Sequence, residues 1–167
     1  MTEWQPITWR FLHTITLDYN NETKNKLIEF FNTLKVIIPC KVCRNHYIEN
    51  INLDNNDLFN MTIDIHNNVN KMNNKKLWSY SESYEYYKQY NFTDNLMQNF
   101  MVEYIKHNFL KGYEKTEQLI KMLNIIGYIH PIEYKRNKLI DFSQKFILRR
   151  KNIKKWLYTF FIILYSK

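Results

Sequence analysis

The chain has 167 residues, 45% of them hydrophobic, and a formal net charge of +8. A chain of this length can bury the core of one principal domain without structural disulfides, so the two cysteines are not needed to stabilise the fold. Two glycines and three prolines leave little material for tight hairpins or phosphate-cradling loops, which predicts an all-α fold. Residues 1–10 contain no apolar stretch of the kind a secretory signal needs, so synthesis in a reducing compartment is expected.

Hydrophobic periodicity predicts four helices before residue 73. Apolar residues at helical spacing place the first over about 6–17 and the second over about 22–38. Pro39 interrupts the second helix, and a third, short helix follows over about 40–50. The fourth is predicted over about 57–72. These segments are long enough to form a helical bundle.

Residues that cap or break helices indicate where the helices after residue 73 begin and end. Ser79 followed three residues later by Glu82 matches a capping box and predicts a short fifth helix. From residue 93 onward two or three more helices are expected, with breaks at Gly112 and over 127–131. Residues 1–90 and 91–167 are therefore predicted to be a principal domain and a helical C-terminal extension.

The cysteines form a Cys-x-x-Cys pair, Cys40 and Cys43, directly after Pro39. Two thiols three positions apart at the start of a helix can close a readily exchanged disulfide. The unpaired amides and the positive dipole end of the helix stabilise a thiolate, which is the species that attacks disulfides. The pattern predicts a redox centre.

Zinc binding is the alternative at this stage. His46 follows Cys43 by three residues and His66 follows twenty further on, so Cys40, Cys43, His46 and His66 could supply four ligands. The chain would then be a helical interaction module with a basic tail, either stabilised by zinc or without a redox cofactor.

A second polar cluster indicates an adenine dinucleotide. His66, Asn67 and Asn70 lie within about one helical turn, and Lys71 and Lys75 follow. Imidazole can stack on a purine or flavin, amides can bond ring edges, and lysines can approach a pyrophosphate. Taken separately, His66 also suits a core position and the lysines suit a solvated surface.

Three motifs together resemble the FAD-linked sulfhydryl oxidases of the Erv/ALR type, most closely the short forms of large DNA viruses. The first motif spans 9–13 and matches W-x-x-L-H. The second spans 39–43 with His46 and matches P-C-x-x-C-x-x-H, and the third spans 66–70 with Lys75 and matches H-N-x-V-N-x-x-x-x-K. The resemblance covers roughly residues 4–87.

The resemblance implies a four-helix bundle with a short fifth helix, noncovalent FAD, no metal and a homodimer. Cys40 is then the interchange thiol and Cys43 lies against the isoalloxazine ring. Oxygen receives the electrons and gives hydrogen peroxide. The residues that the family pattern places around the cofactor are Trp9, His13, His46, Tyr47, His66, Asn67, Val69, Asn70, Lys71, Lys75 and Tyr80.

Departures from the family pattern limit these expectations. Gln5 and Pro6 stand where many members have a Gly-Arg pair, and Lys76 stands where a proline is common. The chain has no cysteines for a second, shuttle pair, so a separate thioredoxin-like or glutaredoxin-like protein is the expected thiol donor. With viral relatives and no signal sequence, the expected location is the host cytoplasm, a viral factory or the virion.

The C-terminal tail carries the basic charge of the chain. Residues 134–167 contain ten Lys or Arg and a single acid, Asp141. The apolar stretch 156–165 follows a basic cluster, but ten residues are too few to span a bilayer, which takes about 20. Three roles stay open: packing on the bundle or at a dimer interface, peripheral membrane contact, and nucleic-acid binding.

Overall fold

The structure, a computed structural model, describes residues 4–17, 19–54, 57–90 and 92–166. These ranges are helical and contain no β-strand, which confirms the predicted all-α fold. The α-helices are α1 Trp4–Ile15, α2 Asn21–Ile37, α3 Lys41–Asn50, α4 Leu58–Met72, α5 Tyr80–Gln89, α6 Asp94–Asn108, α7 Tyr113–Ile126, α8 Glu133–Lys145 and α9 Ile153–Leu164, with short 3-10 helices at Gly127–Ile129 and Arg150–Asn152.

Predicted signals lie in the first turns of α1 and α5, although α1 begins at Trp4, before the predicted start near residue 6. Pro6 lies in the first turn of α1, where its missing N–H costs no intrahelical bond. Ser79 caps α5 as expected: its Oγ accepts from the Glu82 N–H at 3.2 Å, and its own N–H donates to the Glu82 carboxylate at 3.0 Å. The predicted loop before α4 includes residues 55 and 56, which lie outside the described residues.

Helices α1 to α4 form the predicted bundle, and α5 packs across α1 and α4. Their core is built from fully buried large side chains such as Phe11 on α1 and Phe30 on α2. The C-terminal helices extend this core. Helix α6 packs on α1, where Phe100 stacks on Phe11 with ring centroids 4.2 Å apart, and α7 packs along α2.

Polar contacts also join the two parts of the chain. The hydroxyl of Thr8 on α1 donates to the Tyr104 hydroxyl on α6 at 3.2 Å. At the end of α6, the buried amide of Asn108 donates to the carbonyl O of Ile37 at 2.9 Å. Ile37 is the last residue of α2, so this bond lies three residues before Cys40.

The expectation of two or three helices after residue 93 is wrong, because the described residues 92–166 contain four α-helices. The break between α8 and α9 has neither Gly nor Pro. Instead, Asn152 accepts from the Arg149 N–H at 2.7 Å and donates to the Ile147 carbonyl at 3.1 Å, which turns the chain. A side-chain turn of this kind leaves no punctuating residue in the sequence.

Helix α9 completes the C-terminal packing. Trp156 and Phe160 are fully buried and stack with centroids 4.8 Å apart, and the Trp156 indole N–H donates to the Phe146 carbonyl at 2.9 Å. A Cβ at Gly127 would lie 3.0 Å from Cβ of Leu139. Glycine therefore allows close approach of α8 here. No helix in the described part of the chain is long and apolar enough to cross a bilayer.

Candidate functional site

The redox pair lies at the first turn of α3. Cys40 is the N-cap residue of the helix and forms a disulfide with Cys43. The Cys43 N–H donates to Cys40 Sγ at 3.2 Å, and the Arg44 guanidinium donates to the Ile38 carbonyl at 2.8 Å. The helix amides and dipole therefore stabilise negative charge at Cys40, while Arg44 holds the preceding turn in place.

A mainly apolar cavity of about 290 Å³ opens beside this disulfide. Both cysteines are in its wall. The lining residues come from α1, α3, α4 and the turn before α3, and they are Trp4, Gln5, Thr8, Trp9, Leu12, Ile38, Cys40, Val42, Cys43, His46, Tyr47, Ile65, Val69, Met72 and Asn73. An apolar slot next to a disulfide suits a flat ring system better than a hydrated ion.

Two polar groups of the slot have defined partners. The Gln5 amide N–H donates to Cys43 Sγ at 3.8 Å. Buried Tyr47 donates its hydroxyl proton to the Phe31 carbonyl at 2.9 Å, and burial followed by the proximity of Tyr104 raises the pKa of Tyr47. Tyr47 therefore stays protonated at neutral pH, and Gln5 supplies the slot with a donor directed at sulfur.

A larger and more polar cavity of about 680 Å³ adjoins the slot. Its lining residues come from α1, α4, α5 and the turn after α4, and they are Gln5, Pro6, Trp9, Arg10, His66, Val69, Asn70, Asn73, Lys75, Tyr86, Tyr87 and Tyr90. Gln5, Trp9, Val69 and Asn73 line both cavities. The two spaces are therefore adjacent and share part of their walls, and we call them together the Trp9 groove.

A ladder of stacked rings forms one wall of the Trp9 groove. Trp9 and His66 lie parallel, with centroids 4.2 Å apart and an interplanar angle of 3°. His66 Nδ1 is 2.9 Å from His13 Nε2, and His13 Nδ1 is 2.9 Å from the Thr62 hydroxyl. The Thr62 hydroxyl donates to the Phe59 carbonyl at 2.8 Å. Because that proton is committed, Thr62 can only accept from His13.

The hydrogen-bond order fixes the tautomers of both imidazoles. Burial and the proximity of His66 lower the pKa of His13 well below its usual value. Burial and then Lys75 lower the pKa of His66 to about 4, so both rings are neutral at pH 7. His13 donates through Nδ1 and accepts at Nε2, and His66 therefore donates from Nδ1. The unprotonated Nε2 of His66 is left as an acceptor for a ligand.

Two asparagines on α4 hold the turn that carries Lys75. The Asn67 amide donates to the Trp78 carbonyl at 2.8 Å and accepts from the Trp78 N–H at 2.9 Å. The side-chain amide of Asn70 donates to the Lys76 carbonyl at 3.2 Å, and the Lys75 N–H donates to the main-chain carbonyl of Asn70 at 2.8 Å. This double clamp places Lys75 at the groove.

The structure brings most of the predicted cofactor residues together and leaves some apart. Seven line the Trp9 groove: Trp9, His46, Tyr47, His66, Val69, Asn70 and Lys75. Four are absent from its lining. His13 lies behind His66, Asn67 bonds the turn, Lys71 is exposed, and Tyr80 donates to Asp64 at 2.7 Å beside a different cavity. The binding roles of all eleven stay predictions.

Several groove residues were missed in the sequence. Arg10 follows Trp9 directly, and its guanidinium lies 4.9 Å from the ring centroid of Tyr90. Tyr86, Tyr87 and Tyr90 share a face of α5 at i, i+1 and i+4. The tyrosines repeat at helical spacing, but the sequence does not show which neighbour that face meets.

The zinc alternative has no ligand set in the residues that the structure describes. Across 4–17, 19–54, 57–90 and 92–166, no group of three or more His, Cys, Asp and Glu side chains could hold a metal ion. Cys40 and Cys43 are bonded to each other, and His66 is stacked on Trp9 and bonded to His13.

The fold and the site define a class: a helical-bundle protein with a Cys-x-x-Cys disulfide in the wall of an apolar slot beside a larger polar cavity. The model of the Erv1/Alr family matches residues 6–91, just over half of the chain. The chain belongs to the Erv1/Alr family. The match ends at the start of the C-terminal helices, which lie beyond it.

Viral proteins are among the relatives. One, named "Probable FAD-linked sulfhydryl oxidase" in Acanthamoeba polyphaga mimivirus, is 32% identical over 96 residues, covering 50% of this chain and 67% of the relative. The "FAD-linked sulfhydryl oxidase" of two African swine fever virus isolates, from Kenya and Malawi, is 33% identical over 99 residues, covering 53% of this chain and 83% of the relative. No solved structure matches the chain.

Proposed function

We propose that this chain, a flavin-linked sulfhydryl oxidase, forms disulfides in substrate proteins through Cys40 and Cys43 and passes the electrons to oxygen. The observation that carries the proposal is the disulfide in the wall of the apolar slot, which shares four lining residues with the larger polar cavity. Family membership and the names of the viral relatives support the same activity.

The Trp9 groove fits FAD by the chemistry of its donors. The slot beside Cys43 is apolar enough for a tricyclic ring, and the wider part offers the stacked Trp9–His66 pair. Arg10 and Lys75 supply cations suited to a pyrophosphate, and Asn70 and His66 Nε2 can bond ring or ribose edges. We assign the cofactor to these residues. When bound, FAD would supply the two-electron chemistry that links the dithiol to oxygen, with hydrogen peroxide as the product.

The two cysteines have different roles in thiol exchange. A substrate thiolate attacks Cys40 Sγ, the Cys40–Cys43 bond breaks, and Cys43 leaves as a thiolate beside the Gln5 amide. A second substrate thiolate then attacks the substrate sulfur of the mixed disulfide and expels Cys40. The released Cys40 thiolate is stabilised by the Cys43 N–H and the start of α3. One substrate disulfide forms, and the two electrons remain on Cys40 and Cys43.

The electron donor is proposed to be a separate dithiol protein of thioredoxin-like or glutaredoxin-like type. Both cysteines of these 167 residues are used in one pair, so they provide no internal relay. We place the reaction in the host cytoplasm, at viral factories or in the virion, because the relatives are viral proteins. Disulfide formation there needs a dedicated oxidase, since the glutathione pool keeps thiols reduced.

A homodimer is proposed from the family pattern, with residues 1–90 as the oxidase domain and 91–167 as its extension. In this chain α6 and α7 cover faces of α1 and α2. A dimer must therefore use other surfaces. Sedimentation velocity of the full chain measures this directly: a single species of monomer mass contradicts the dimer.

The activity test is an absorption spectrum of the purified chain, followed by added dithiothreitol under air. A flavin band that bleaches and returns as oxygen is consumed is expected. Cys43→Ser is expected to retain flavin and to lose essentially all oxygen consumption. A colourless folded protein contradicts FAD binding, and full turnover by Cys43→Ser contradicts the role of the pair.

A further inference from the structure

The outer side of α9 presents a line of side chains to solvent. Lys154, Tyr158 and Ile162 recur every four residues and so lie along one face of the helix. Tyr158 is 71% exposed and Ile162 is 54% exposed, whereas Trp156 and Phe160 on the other side are fully buried. Helix α9 therefore carries large apolar or aromatic side chains on its buried side and also on the side that faces water.

The segment before α9 adds to the same surface. Ile147 is 58% exposed. The Asn152 side chain bonds to the backbone of both Ile147 and Arg149, which holds this segment against the start of α9. Lys155 also lies over the ring of Phe146 at 5.9 Å, so the segment and the helix end are adjacent. An apolar side chain is thus fixed beside the first turn of α9.

The charge of this surface has one sign. Arg149, Arg150, Lys151, Lys154 and Lys155 are all exposed. No Asp or Glu occurs between residues 142 and 167, so the sequence offers these cations no acidic neighbour in that stretch. The surface thus combines a cluster of five positive charges with exposed tyrosine and isoleucine.

We propose that this surface docks the protein on an anionic lipid membrane. We call it the α9 face and define it by Ile147, residues 149–151, Lys154, Lys155, Tyr158 and Ile162. Basic side chains are attracted to acidic headgroups, and tyrosine and isoleucine enter the boundary between headgroups and acyl chains. The helix lies along the membrane and does not cross it.

A nucleic acid would make favourable contacts with the charged side chains of this surface but not with its apolar ones. Phosphates would neutralise the five cations, but they would leave Ile147 and Ile162 in water, where they gain nothing. A membrane interface accommodates the charged and apolar groups together. The proposal is independent of the oxidase activity, because the α9 face shares no residue with the lining of the Trp9 groove.

The test is flotation of the full chain with vesicles of phosphatidylcholine alone or with added phosphatidylserine. We expect binding to the anionic vesicles that weakens with salt. Each basic residue near such a surface contributes about fivefold to partitioning, so Lys154→Gln/Lys155→Gln is expected to weaken binding about 25-fold. Tyr158→Ser/Ile162→Ser removes apolar contact and is expected to weaken binding about tenfold with the salt dependence retained.

The matched control is Lys111→Gln/Lys121→Gln, which removes the same charge from exposed positions that are not part of the α9 face. Parent-like binding by this control supports the proposal. An equal loss in the control shows attraction to overall charge and overturns it, as does absence of binding to anionic vesicles. A parallel titration with duplex DNA identifies the alternative, since binding to DNA without vesicle binding makes the α9 face a nucleic-acid surface. Unchanged urea unfolding midpoints confirm that the variants are folded.

Discussion

The two parts of the chain use their fully and partly buried histidines in different ways. In residues 4–90, His13 and His66 are paired with each other, and His66 borders the Trp9 groove. In residues 92–166, His130 and Lys135 both contact the carboxylate of Asp94. Burial lowers the pKa of His66 and of His130, but the Asp94 carboxylate opposes that effect at His130.

The difference shows that burial of a histidine does not by itself identify a binding site. Around His130 the polar groups satisfy one another: Lys135 also donates to the Leu164 carbonyl at 3.1 Å, and Arg136 donates to the His130 carbonyl at 3.0 Å. Around His66, one ring nitrogen remains as an acceptor beside a cavity. The first arrangement stabilises a fold, and the second leaves bonding capacity for a ligand.

The largest expected effect is a loss of stability in the C-terminal region, where side chains satisfy one another. Phe160→Ala removes a fully buried ring that stacks on Trp156, and it is expected to cost about 3–5 kcal/mol in the free energy of unfolding. Urea unfolding measures the loss. Tyr158→Ala, at an exposed position of the same helix, is the control and is expected to change stability little. Equal losses in the two variants would show that α9 does not pack as described.

The second effect is a loss of stability on acidification. Folding lowers the pKa of His66 from 6.5 to about 4, so between these values the unfolded chain binds a proton that the folded chain excludes. Stability therefore falls as pH falls through this window, by on the order of 3 kcal/mol for this one group. His66→Gln is expected to reduce the pH dependence of urea unfolding, with His13 and His130 supplying the remainder, and His107→Gln on α6 is the matched substitution outside the His13–His66 pair. An unchanged slope in His66→Gln contradicts the assignment.

The third effect concerns the cations of the groove. Arg10→Gln and Lys75→Gln are each expected to weaken FAD binding by roughly 10- to 100-fold, because each removes a charge-assisted contact worth about 1.5–3 kcal/mol. Lys88→Gln is the matched control, since it makes the same change at an exposed position of α5 outside the groove lining. Fluorescence titration of apoprotein with FAD gives the constants. A loss in Lys88→Gln as large as in Lys75→Gln argues against this pyrophosphate site.

The smallest effect is at Gln5. Gln5→Leu removes the donor 3.8 Å from Cys43 Sγ and is expected to slow alkylation of the reduced Cys43 thiol at neutral pH, because hydrogen bonds favour the reactive thiolate. Alkylation rates in a Cys40→Ser background, measured across pH, report this reactivity. Gln89→Leu, on the exposed end of α5, is the control. Identical profiles for parent and Gln5→Leu exclude Gln5 from tuning this sulfur.

The first five helices could be predicted because their signals are local. Pro6, the Ser79–Glu82 box and the Cys40 start of α3 each act within one turn of chain. The three motifs identified the residues of one wall of the site for the same reason: each motif lies on one helix or the turn beside it.

What could not be predicted depends on contacts between elements. Asn67 and His66 are adjacent in sequence, but about 100° of helix rotation separates them, and Asn67 meets Trp78 whereas His66 meets Trp9. The contribution of Arg10 and Tyr90 depends on how α5 crosses α1. The break between α8 and α9 depends on a side-chain turn, which resembles ordinary polar sequence.

The hydrogen bond from Asn108 to Ile37 links the C-terminal region to the turn before the redox pair. The donor belongs to the C-terminal helices, while the acceptor is the last residue of α2, three positions before Cys40. Replacing α6 with an unrelated helix would remove a hydrogen bond from the turn that presents the redox pair. Because the acceptor is a main-chain carbonyl, substitutions at Ile37 keep it, whereas substitution of Asn108 removes the donor from the turn before Cys40.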